Sequence, residues 1–309
     1  KTEKAYAGGD IIILRPSRGD STYLAHFINS EKGRKQRTKL GQGHSVVHIY
    51  PNSLKKMLVP YPPITEQQKI AQILTTWDNA IEITQKLVTA KEQQKKVLMQ
   101  QLLTGHKRFG EYNSNNWCEV KLGDVFNERN ETNFPDLKLL AITSSNGIVD
   151  RDSVEKRDTS NQDKSKYKKI CFGDIGYNTM RLWQGVAGLS KMEGIVSPAY
   201  TVVTPTDKID GLFMSYLFKL PEVIHLFYRH SQGLVNDTLN CKYHHFSQVK
   251  VTIPKSKKEQ QKIASVLQTA DKEIILLKKK LTKLQQQKKG LMQVLLTGKI
   301  RVKIDEGKN

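Results

Sequence analysis

Three side chains in the stretch GYNTMRLWQG (176–185) can each form two parallel hydrogen bonds, and they are Asn178, Arg181 and Gln184. Amide and guanidinium groups of this kind fit the edges of nucleic-acid bases. Trp183 lies beside them, and we interpret its ring as a packing residue rather than as a platform for a base. The stretch therefore predicts hydrogen-bonded recognition of base edges.

Two other segments of the chain contain polar groups that could assist this recognition. The segment DKSKYKKI (163–170) concentrates lysines, which could hold phosphates and so position a protein without specifying sequence. A solvated loop leading to a strand is an equal alternative. In RHSQGLVNDTLNCKYHH (229–245), an ordinary polar connection explains each residue as well as a groove contact does. The candidate contacts of the two segments are Lys164, Lys166, Tyr167, Gln232, Asn236, Asn240 and Lys242.

A further basic stretch, EKGRKQRTKLGQGH (31–44), lies in the first part of the chain. It corresponds in position to 229–245, because the chain is duplicated internally with an offset near 190 residues. We predict nucleic-acid contacts for its cations and the two polar residues that follow them. These candidates are Arg34, Lys35, Arg37, Lys39, Gln42 and His44.

The net charge of +20 over 309 residues favours a polyanionic partner, of which nucleic acid is the simplest. The charge is uneven: residues 1–60 carry +7, 61–108 carry +3, 109–254 are neutral, and 255–309 carry +10. A basic patch on 109–254 must therefore be local. No apolar run approaches the ~20 residues of a membrane span, and three widely spaced cysteines favour the reduced thiols of the cytoplasm.

Motifs for catalysis are missing from the sequence. YPPI (61–64) resembles the adenine-methyltransferase motif only in its prolines, and there is neither a glycine-rich cofactor loop nor a phosphate-binding Gly-Lys-Ser/Thr loop. Glu119 and Lys121 have no convincing upstream aspartate for a nuclease. The adjacent His244 and His245 lack the helical spacing of metal ligands, so we expect no metal site and no catalysis.

Two long helices are predicted from a duplicated segment. Residues 66–109 and 259–302 are identical at 24 of 44 positions, beginning with EQQKIA in both copies. Prolines precede each copy, and Gly105 and Gly298 follow the last apolar residues, where a C-terminal glycine belongs. Each helix spans about 40 residues, or roughly 60 Å.

Apolar residues recur every 3.5 residues along both helices, the period of a coiled-coil seam. With a globular block between the copies, an antiparallel pairing lets the chain return along its own seam. Two amphipathic helices that cover separate cores are the alternative. The predicted apolar seam positions are Ile70, Leu74, Trp77, Ile81, Val88, Leu98, Leu102, Ile263, Leu267, Ile274, Leu277, Leu281, Leu284, Leu291 and Leu295, and Thr84, Lys91, Lys95, Ala270 and Lys288 complete the period.

The blocks before each helix are duplicated more faintly. Residues 11–28 parallel 201–218: each has a β-rich run ending in proline, a polar turn with an aspartate, and an apolar helix. The first block lacks a counterpart of roughly 110–190, so we expect the sequence to begin inside a domain. Similar helices joined to divergent globular blocks suggest one scaffold that carries two different recognition domains.

The chain resembles the specificity subunit of type I restriction–modification systems over nearly its whole length. The resemblance is carried by VPYPPITEQQKIAQIL, TIPKSKKEQQKIASVL, the QQLLTG and QVLLTG helix ends, WCEVKLGDVF (117–126) and GDIGYNTMRLWQG (173–185). It implies an α+β fold: two α/β target-recognition domains, each with a mixed or antiparallel sheet and short helices, separated by two long helices that form an antiparallel coiled coil. The expected divisions are 1–60, 61–108, 109–254 and 255–309, the first being the C-terminal part of a truncated domain.

The resemblance also implies function. Each domain would read one half of a split site in double-stranded DNA, and the helices would set the gap and bind two methyltransferase subunits, with motor-nuclease subunits joining. S-adenosylmethionine, ATP and Mg would bind those partners, and this cytoplasmic chain would bind no cofactor. Major-groove faces recur every 34–36 Å or so, a distance that a rigid helix pair can set.

Two other functional classes stay open at this point. A non-catalytic coiled-coil scaffold that binds only proteins fits the neutral charge of 109–254, and an enzyme with an unrecognised site is the second alternative. The lysine-rich segment 277–289 fits a solvated face, a dock for an acidic partner, or a contact with the DNA backbone.

Overall fold

The structure, a computed structural model, describes residues 11–41, 48–114, 116–144, 146–155, 160–235 and 238–304. The chain divides into two compact units between residues 91 and 92 and between 272 and 273. The first unit thus contains the start of one long helix and the end of the other, and the second unit contains the reverse. Within the described ranges, no helix has both the length and the apolar character needed to cross a bilayer.

The helices of the described residues repeat in order. Four helices of the first half return in the second half at offsets of 190 to 193 residues: α1 as α6, α2 as α7, α3 as α8, and α4 as α9. The bounds are α1 Ser21–Asn29, α2 Glu31–Leu40, α3 Pro51–Leu54, α4 Ile64–Leu103, α5 Leu122–Val125, α6 Gly211–Leu217, α7 Pro221–His230, α8 Tyr243–Phe246 and α9 Lys257–Leu295.

The short helices α1 and α6 begin in the same way. The carboxylate of Asp20 accepts a hydrogen bond from the Tyr23 N–H at 2.7 Å, and that of Asp210 accepts one from the Phe213 N–H at 2.8 Å. These are N-caps that satisfy an otherwise unpaired donor of each first turn. Tyr23 and Phe213 are both fully buried, so each cap fixes the helix that supplies an aromatic residue to the core.

The core of the first unit lies where α1 meets the long helices. Tyr23 and Phe27 pack with Ile70 and Leu74 of α4 and with Leu296, which follows α9. The two long helices run antiparallel in this unit. Lys288 pairs with Asp78, and the Lys91 Nζ lies 2.9 Å from a Glu273 carboxylate oxygen.

The second unit is built on antiparallel strands. A four-stranded sheet has the order β2-β9-β6-β7, and three two-stranded ladders pair β1 with β10, β3 with β4, and β5 with β8. All these ladders are antiparallel. The strands are β1 Trp117–Lys121, β2 Phe126–Arg129, β3 Leu140–Thr143, β4 Gly147–Asp150, β5 Lys168–Ile170, β6 Ile175–Asn178, β7 Ala187–Leu189, β8 Gly194–Val196, β9 Tyr200–Pro205 and β10 Lys250–Pro254.

The main core of the second unit joins this sheet to the ends of the long helices. Buried aromatic rings of the unit, such as Phe126 and Phe246, lie in the same cluster as Leu102 of α4 and Leu267 of α9. The long helices are antiparallel here as well, because Lys95 pairs with Asp271 (Nζ–O 2.5 Å) and the later Arg108 pairs with the earlier Glu259. The predicted fold class, with an antiparallel helix pair, is confirmed.

The tripeptide EQQ that opens each long helix forms the same joint in both units. Glu66 accepts hydrogen bonds from Arg301 in the first unit, and Glu259 accepts them from Arg108 in the second. Each arginine follows the end of the opposite helix, and both glutamates are buried. The repeated Glu and Arg therefore fasten the start of one helix to the end of the other.

The first glutamine of EQQ joins each helix to its globular block. The Gln67 Oε1 accepts the Asp20 N–H at 2.9 Å, and its Nε2 donates to the Pro62 carbonyl at 2.8 Å. Gln260 makes the matching bonds to the Asp210 N–H and the Pro254 carbonyl, both at 2.8 Å. A buried amide that satisfies two backbone groups fixes the direction in which the chain enters the helix.

Both long helices end at a glycine, as the sequence suggests. Gly105 and Gly298 each have a φ of 75°, the left-handed conformation that glycine tolerates best. Two residues beyond each glycine, an N–H returns to a carbonyl of the last turn, from Lys107 to Gln101 and from Ile300 to Val294. Each bond gives a partner to a carbonyl of the last turn, one of the groups that a helix end otherwise leaves unpaired.

All twenty seam positions of the two long helices are buried or half-buried. By contrast, three large apolar side chains outside the seam, Ile83, Ile275 and Leu276, are 66%, 52% and 65% exposed. The helices thus bury the stripe that the 3.5-residue period selects, rather than every apolar side chain.

One expectation for the first block is wrong. The β-rich run at 11–16 is not a strand, and its side chains Ile11 and Ile13 are 62% and 64% exposed. Its counterpart β9 is a central strand that pairs with β2 and β6. No counterpart of β2 or β6 is present among the described residues of the first unit, so the run has no neighbouring strand to complete its hydrogen bonds.

The joint at Glu66 predicts acid sensitivity of the first unit. Hydrogen bonds from Arg301 hold the pKa of Glu66 below its ordinary value of 4.5. A depressed folded-state pKa stabilises the fold above the unfolded-state pKa, and this stabilisation is lost as the pH falls through the folded-state value. We expect Glu66→Gln to flatten the fall of unfolding free energy between about pH 6 and pH 3.

Trp77 can report this transition in a variant with Trp117 and Trp183 replaced by phenylalanine, since it is then the one remaining tryptophan of the sequence. Urea titrations of Trp77 fluorescence at each pH give the unfolding free energy. An equally steep acid loss in the Glu66→Gln variant would show that other carboxylates govern it.

Candidate nucleic-acid interface

Three loops of the second unit meet at one end of the four-stranded sheet. The first leaves β6 after Asn178, the second enters β9 before Tyr200, and the third connects α7 to α8. Thr179 ties them together, because its hydroxyl donates to the Ala199 carbonyl and its carbonyl accepts the Cys241 N–H, both at 2.8 Å. The ends of neighbouring antiparallel strands thus place residues distant in sequence on one surface.

An open cavity of about 410 Å³ lies among these loops. Its lining combines cations, hydroxyl groups and rings with one carboxylate. The lining residues are Glu128, Lys168, Thr179, Pro198, Ala199, Tyr200, Thr201, Lys242, Tyr243 and His244.

The surface around the cavity is electropositive. Burial lowers the pKa of His245, and the nearby His244, Lys242 and His230 lower it further. Lys242 and His244 are themselves exposed. Burial raises the pKa of Tyr200, while nearby arginines, among them Arg181, act in the opposite direction. Several cations therefore converge here on a block whose total charge is neutral.

The side chains of the 176–185 stretch differ in what remains free to bind. Arg181 and Gln184 are exposed, and Arg181 acts electrostatically on Tyr200 of the cavity, whereas Asn178 is half-buried and its Oδ1 accepts the Met180 N–H at 3.0 Å. Trp183 donates from Nε1 to the Met180 carbonyl and packs edge-on against Tyr228 at 6.0 Å. Arg181 and Gln184 are thus the groups of this stretch best placed for base edges.

The structure contradicts a DNA contact by Tyr167. Its side chain is 4% exposed, and its hydroxyl accepts the Asn161 N–H at 3.1 Å. The Lys164 Nζ lies 4.8 Å from the centre of the same ring and donates to the Ser160 hydroxyl. This lysine is therefore engaged in holding the loop together. Lys166, which is exposed, is the candidate of this segment that points to solvent.

The loop between α7 and α8 contains three described candidates. Gln232 and Asn240 face each other in a short antiparallel bridge, and Lys242 lines the cavity. Gln232 is exposed and Asn240 is half-buried, with its Nδ2 donating to the Gln232 carbonyl at 3.3 Å. Asn236 lies outside the described residues.

The candidates of the first block do not form the loop expected from the duplication. Arg34, Lys35, Arg37 and Lys39 lie on helix α2, which matches α7 and therefore precedes the loop position. Lys35 pairs with Glu31 one turn earlier at 3.1 Å. The helix forms because Ser30 caps it and because Gly33 lets it pack against the backbone of α1. Gln42 and His44 lie outside the described residues.

Several residues of the cavity escaped the sequence analysis. Thr179 and Tyr200 come from different loops and carry no local motif, and His244 drew attention only as half of a histidine pair. Thr179 directly follows β6, Tyr200 is the first residue of β9, and His244 lies in the first turn of α8. Within the described ranges, no three His, Cys, Asp or Glu side chains come together in a way that could hold a metal ion.

One protein family and two individual proteins resemble this chain in sequence. The family described as type I restriction modification DNA specificity domain matches residues 1–91 and 114–286. The chain is 27% identical to the type I restriction enzyme MjaVIII specificity subunit of Methanocaldococcus jannaschii, over 92% of this chain and 71% of that protein. It is 25% identical to the type I restriction enzyme EcoKI specificity subunit of Escherichia coli, over 74% of this chain and 52% of that protein.

A solved structure shares the fold. The type I restriction–modification system S subunit from M. genitalium superposes with a TM-score of 0.60 at 15% identity, covering 89% of this chain and 72% of that one. Since the family match extends over most of the chain, the protein belongs to the type I restriction modification DNA specificity family.

Proposed function

We propose that this chain is the DNA-reading specificity subunit of a type I restriction–modification complex, in which it recognises a bipartite site in double-stranded DNA. The observation that carries the proposal for the second half-site is the cationic three-loop surface with exposed Arg181 and Gln184. A neutral block that places several cations on one surface has the electrostatic footprint of a local nucleic-acid contact.

The polar candidates of the second unit have two kinds of role in the proposal. Arg181 and Gln184 bind base edges in the major groove, where guanidinium and amide groups form paired hydrogen bonds. Lys242, Lys166 and His244 bind phosphates and so fix the register of the protein on the duplex. The first unit, through α2 and the residues after it, reads the other half-site.

The partners follow from the same proposal. Two methyltransferase subunits bind the long helices, and motor-nuclease subunits join them to form the restriction complex. The methyltransferase subunits bind S-adenosylmethionine and the motor-nuclease subunits bind ATP and Mg, while this chain supplies recognition without catalysis in the cytoplasm.

The proposal is tested by mapping N6-methyladenine across the genome of a host that carries the methyltransferase gene, with and without the gene for this chain. A split motif that depends on this chain is the expected result. Replacing 110–254 by the corresponding domain of another family member should change one half of that motif and leave the other. A change in both halves would refute modular reading, and the absence of any chain-dependent motif would refute the function.

A scaffold that binds only proteins is the second candidate, and the neutral net charge of residues 109–254 favours it. The two candidates differ in one measurement. In the scaffold, alanine at Arg181 and Lys166 leaves DNA affinity unchanged, whereas in the DNA reader both substitutions weaken binding.

A further inference from the structure

Among the described residues that line the cavity of about 410 Å³, Glu128 alone is acidic. It lies on β2, which pairs with β9, the strand that supplies Tyr200 and Thr201. Lys242 and His244 line the same cavity and are exposed. A carboxylate therefore lies on a surface that is otherwise lined by basic and neutral groups.

The Glu128 carboxylate has a countercharge nearby. Its side chain is 23% exposed, and the Lys168 Nζ lies 3.6 Å from its Oε1. That separation is longer than a hydrogen bond, so among the described residues the carboxylate has an ion-pair partner but no direct hydrogen-bond donor. A half-buried carboxylate in this state is stabilised when a ligand supplies a donor.

Tyr243 shows that the carboxylate faces the interior of the cavity. Burial raises the pKa of Tyr243, and the charge of the nearby Glu128 raises it further. The Tyr243 hydroxyl donates to the Phe126 carbonyl at 2.7 Å. Its hydrogen is thus already used, and the Glu128 oxygens stay available to a donor from outside.

A carboxylate on a DNA-binding surface needs an explanation, because it repels the phosphates that the surrounding cations attract. It accepts hydrogen bonds and donates none. In the major groove, guanine and thymine present acceptors that a carboxylate repels, and adenine presents an acceptor beside its amino group. Cytosine presents the N4 amino donor alone, so it is the base that a carboxylate fits best.

We propose that Glu128 is a specificity-determining residue that accepts a hydrogen bond from the N4 amino group of a cytosine in the half-site read by the second unit. This inference rests on the proposed function. Arg181 supplies donors suited to guanine, and Glu128 adds an acceptor suited to cytosine. The two groups together let the surface distinguish a G·C pair from a C·G pair.

The test measures the affinity of the full chain, assembled with its methyltransferase subunits, for duplexes of the mapped site. Each cytosine of the half-site is replaced in turn by pyrimidin-2-one, which lacks only the amino group. We expect the unsubstituted chain to bind about five-fold more weakly, or worse, at one cytosine. Because the analogue also weakens the base pair, the informative quantity is the ratio between two proteins. The additional loss at that cytosine should be absent from the Glu128→Ala variant.

Glu128→Gln keeps the size of the side chain and serves as a second variant if Glu128→Ala does not fold. Its amide can donate to the O4 atom of thymine, which the carboxylate repels. The penalty for replacing the recognised C·G pair by T·A should therefore fall about five-fold. Binding to DNA without the site should strengthen about two-fold, because a negative charge near the phosphates is removed.

Glu119→Gln is the matched control. Glu119 also pairs with a lysine of the same unit, since the Lys250 Nζ lies 2.8 Å from its Oε1, but it is 58% exposed and does not line the cavity. Its substitution should leave every base preference unchanged.

Three results would overturn the inference. The first is specific binding of the site with no amino-sensitive cytosine, and the second is persistence of the amino-dependent loss in Glu128→Ala. The third is weaker binding of Glu128→Gln to all DNA alike, which would show that Glu128 only orients Lys168 toward a phosphate. Absence of sequence-specific binding by the unsubstituted chain is a different result, because it removes the proposed function itself.

Discussion

Replacing Arg108 with alanine is expected to lower the free energy of unfolding of the second unit by about 3 kcal/mol. The guanidinium donates to both carboxylate oxygens of Glu259, at 2.9 and 2.8 Å, and the glutamate side chain is 1% exposed. Removal of one partner leaves a buried carboxylate without its countercharge. The cost is mainly the desolvation of that carboxylate, not the loss of attraction in the pair.

Hydrogen exchange of the amides at the start of α9 is the suitable measurement. A chain with two compact units need not unfold in one step, whereas amide exchange reports the opening of this segment directly. The double variant Arg108→Ala, Glu259→Gln should recover part of the loss, because it removes the unpaired charge.

Arg301→Ala gives a comparison within the same chain. Glu66 is 3% exposed but Arg301 is 67% exposed, so water can replace the guanidinium more readily there. The loss in the first unit should therefore be smaller. If the two substitutions lower the free energy of unfolding equally, exposure of the arginine does not govern the cost. If Arg108→Ala lowers it by less than about 1 kcal/mol, the Glu259 carboxylate reaches water in the variant.

These joints illustrate what the sequence could predict and what it could not. The duplication and the 3.5-residue period are local patterns, and they were enough to place both long helices and their seam. The partners of EQQ were not visible, because Glu259 meets Arg108 across 151 positions of sequence. The repeated glutamate and arginine come within hydrogen-bonding distance only when the two helices pair in antiparallel orientation.

Two errors concern the first block. A β-rich composition at 11–16 was not sufficient for a strand, because a strand needs a neighbour for its backbone hydrogen bonds. The basic stretch at 31–44 was matched in position to the loop at 229–245, although the Ser30 cap and the repeat with α7 favour a helix over 31–40. In the first segment the missing neighbouring strand decided the structure, and in the second segment the local cap did.

Residue type suggested the chemistry of a candidate interface but not which side chains reach the surface. Arg181, Gln184 and Lys242 were chosen by side-chain type, and all three are exposed. Tyr167 was chosen by the same reasoning and is buried, since residue type does not reveal which face of a strand or loop a ring occupies. Thr179 and Tyr200 joined the cavity only through the convergence of strand ends.

Replacing Arg181 with alanine is expected to weaken binding to the recognised site by 1 to 3 kcal/mol or so, which is at least five-fold. The guanidinium is exposed beside the cavity, where it can make two hydrogen bonds to one guanine. The loss should be confined to DNA with the correct base at one position, so the variant should discriminate less at that position alone. Titration of labelled duplexes carrying each of the four bases at each half-site position measures both effects.

Lys242→Ala should give a different signature, because a phosphate contact carries no sequence information. Binding should weaken uniformly across sequences, and the slope of log affinity against log salt should fall by about 1. Lys208→Ala is the matched control: Lys208 is an exposed cation in the turn after β9, at the opposite end of that strand from Tyr200. If Lys208→Ala weakens binding as much as Lys242→Ala does, the effect comes from net charge alone. If Arg181→Ala weakens all sequences equally, Arg181 holds a phosphate and the base-reading residues lie elsewhere on the three loops.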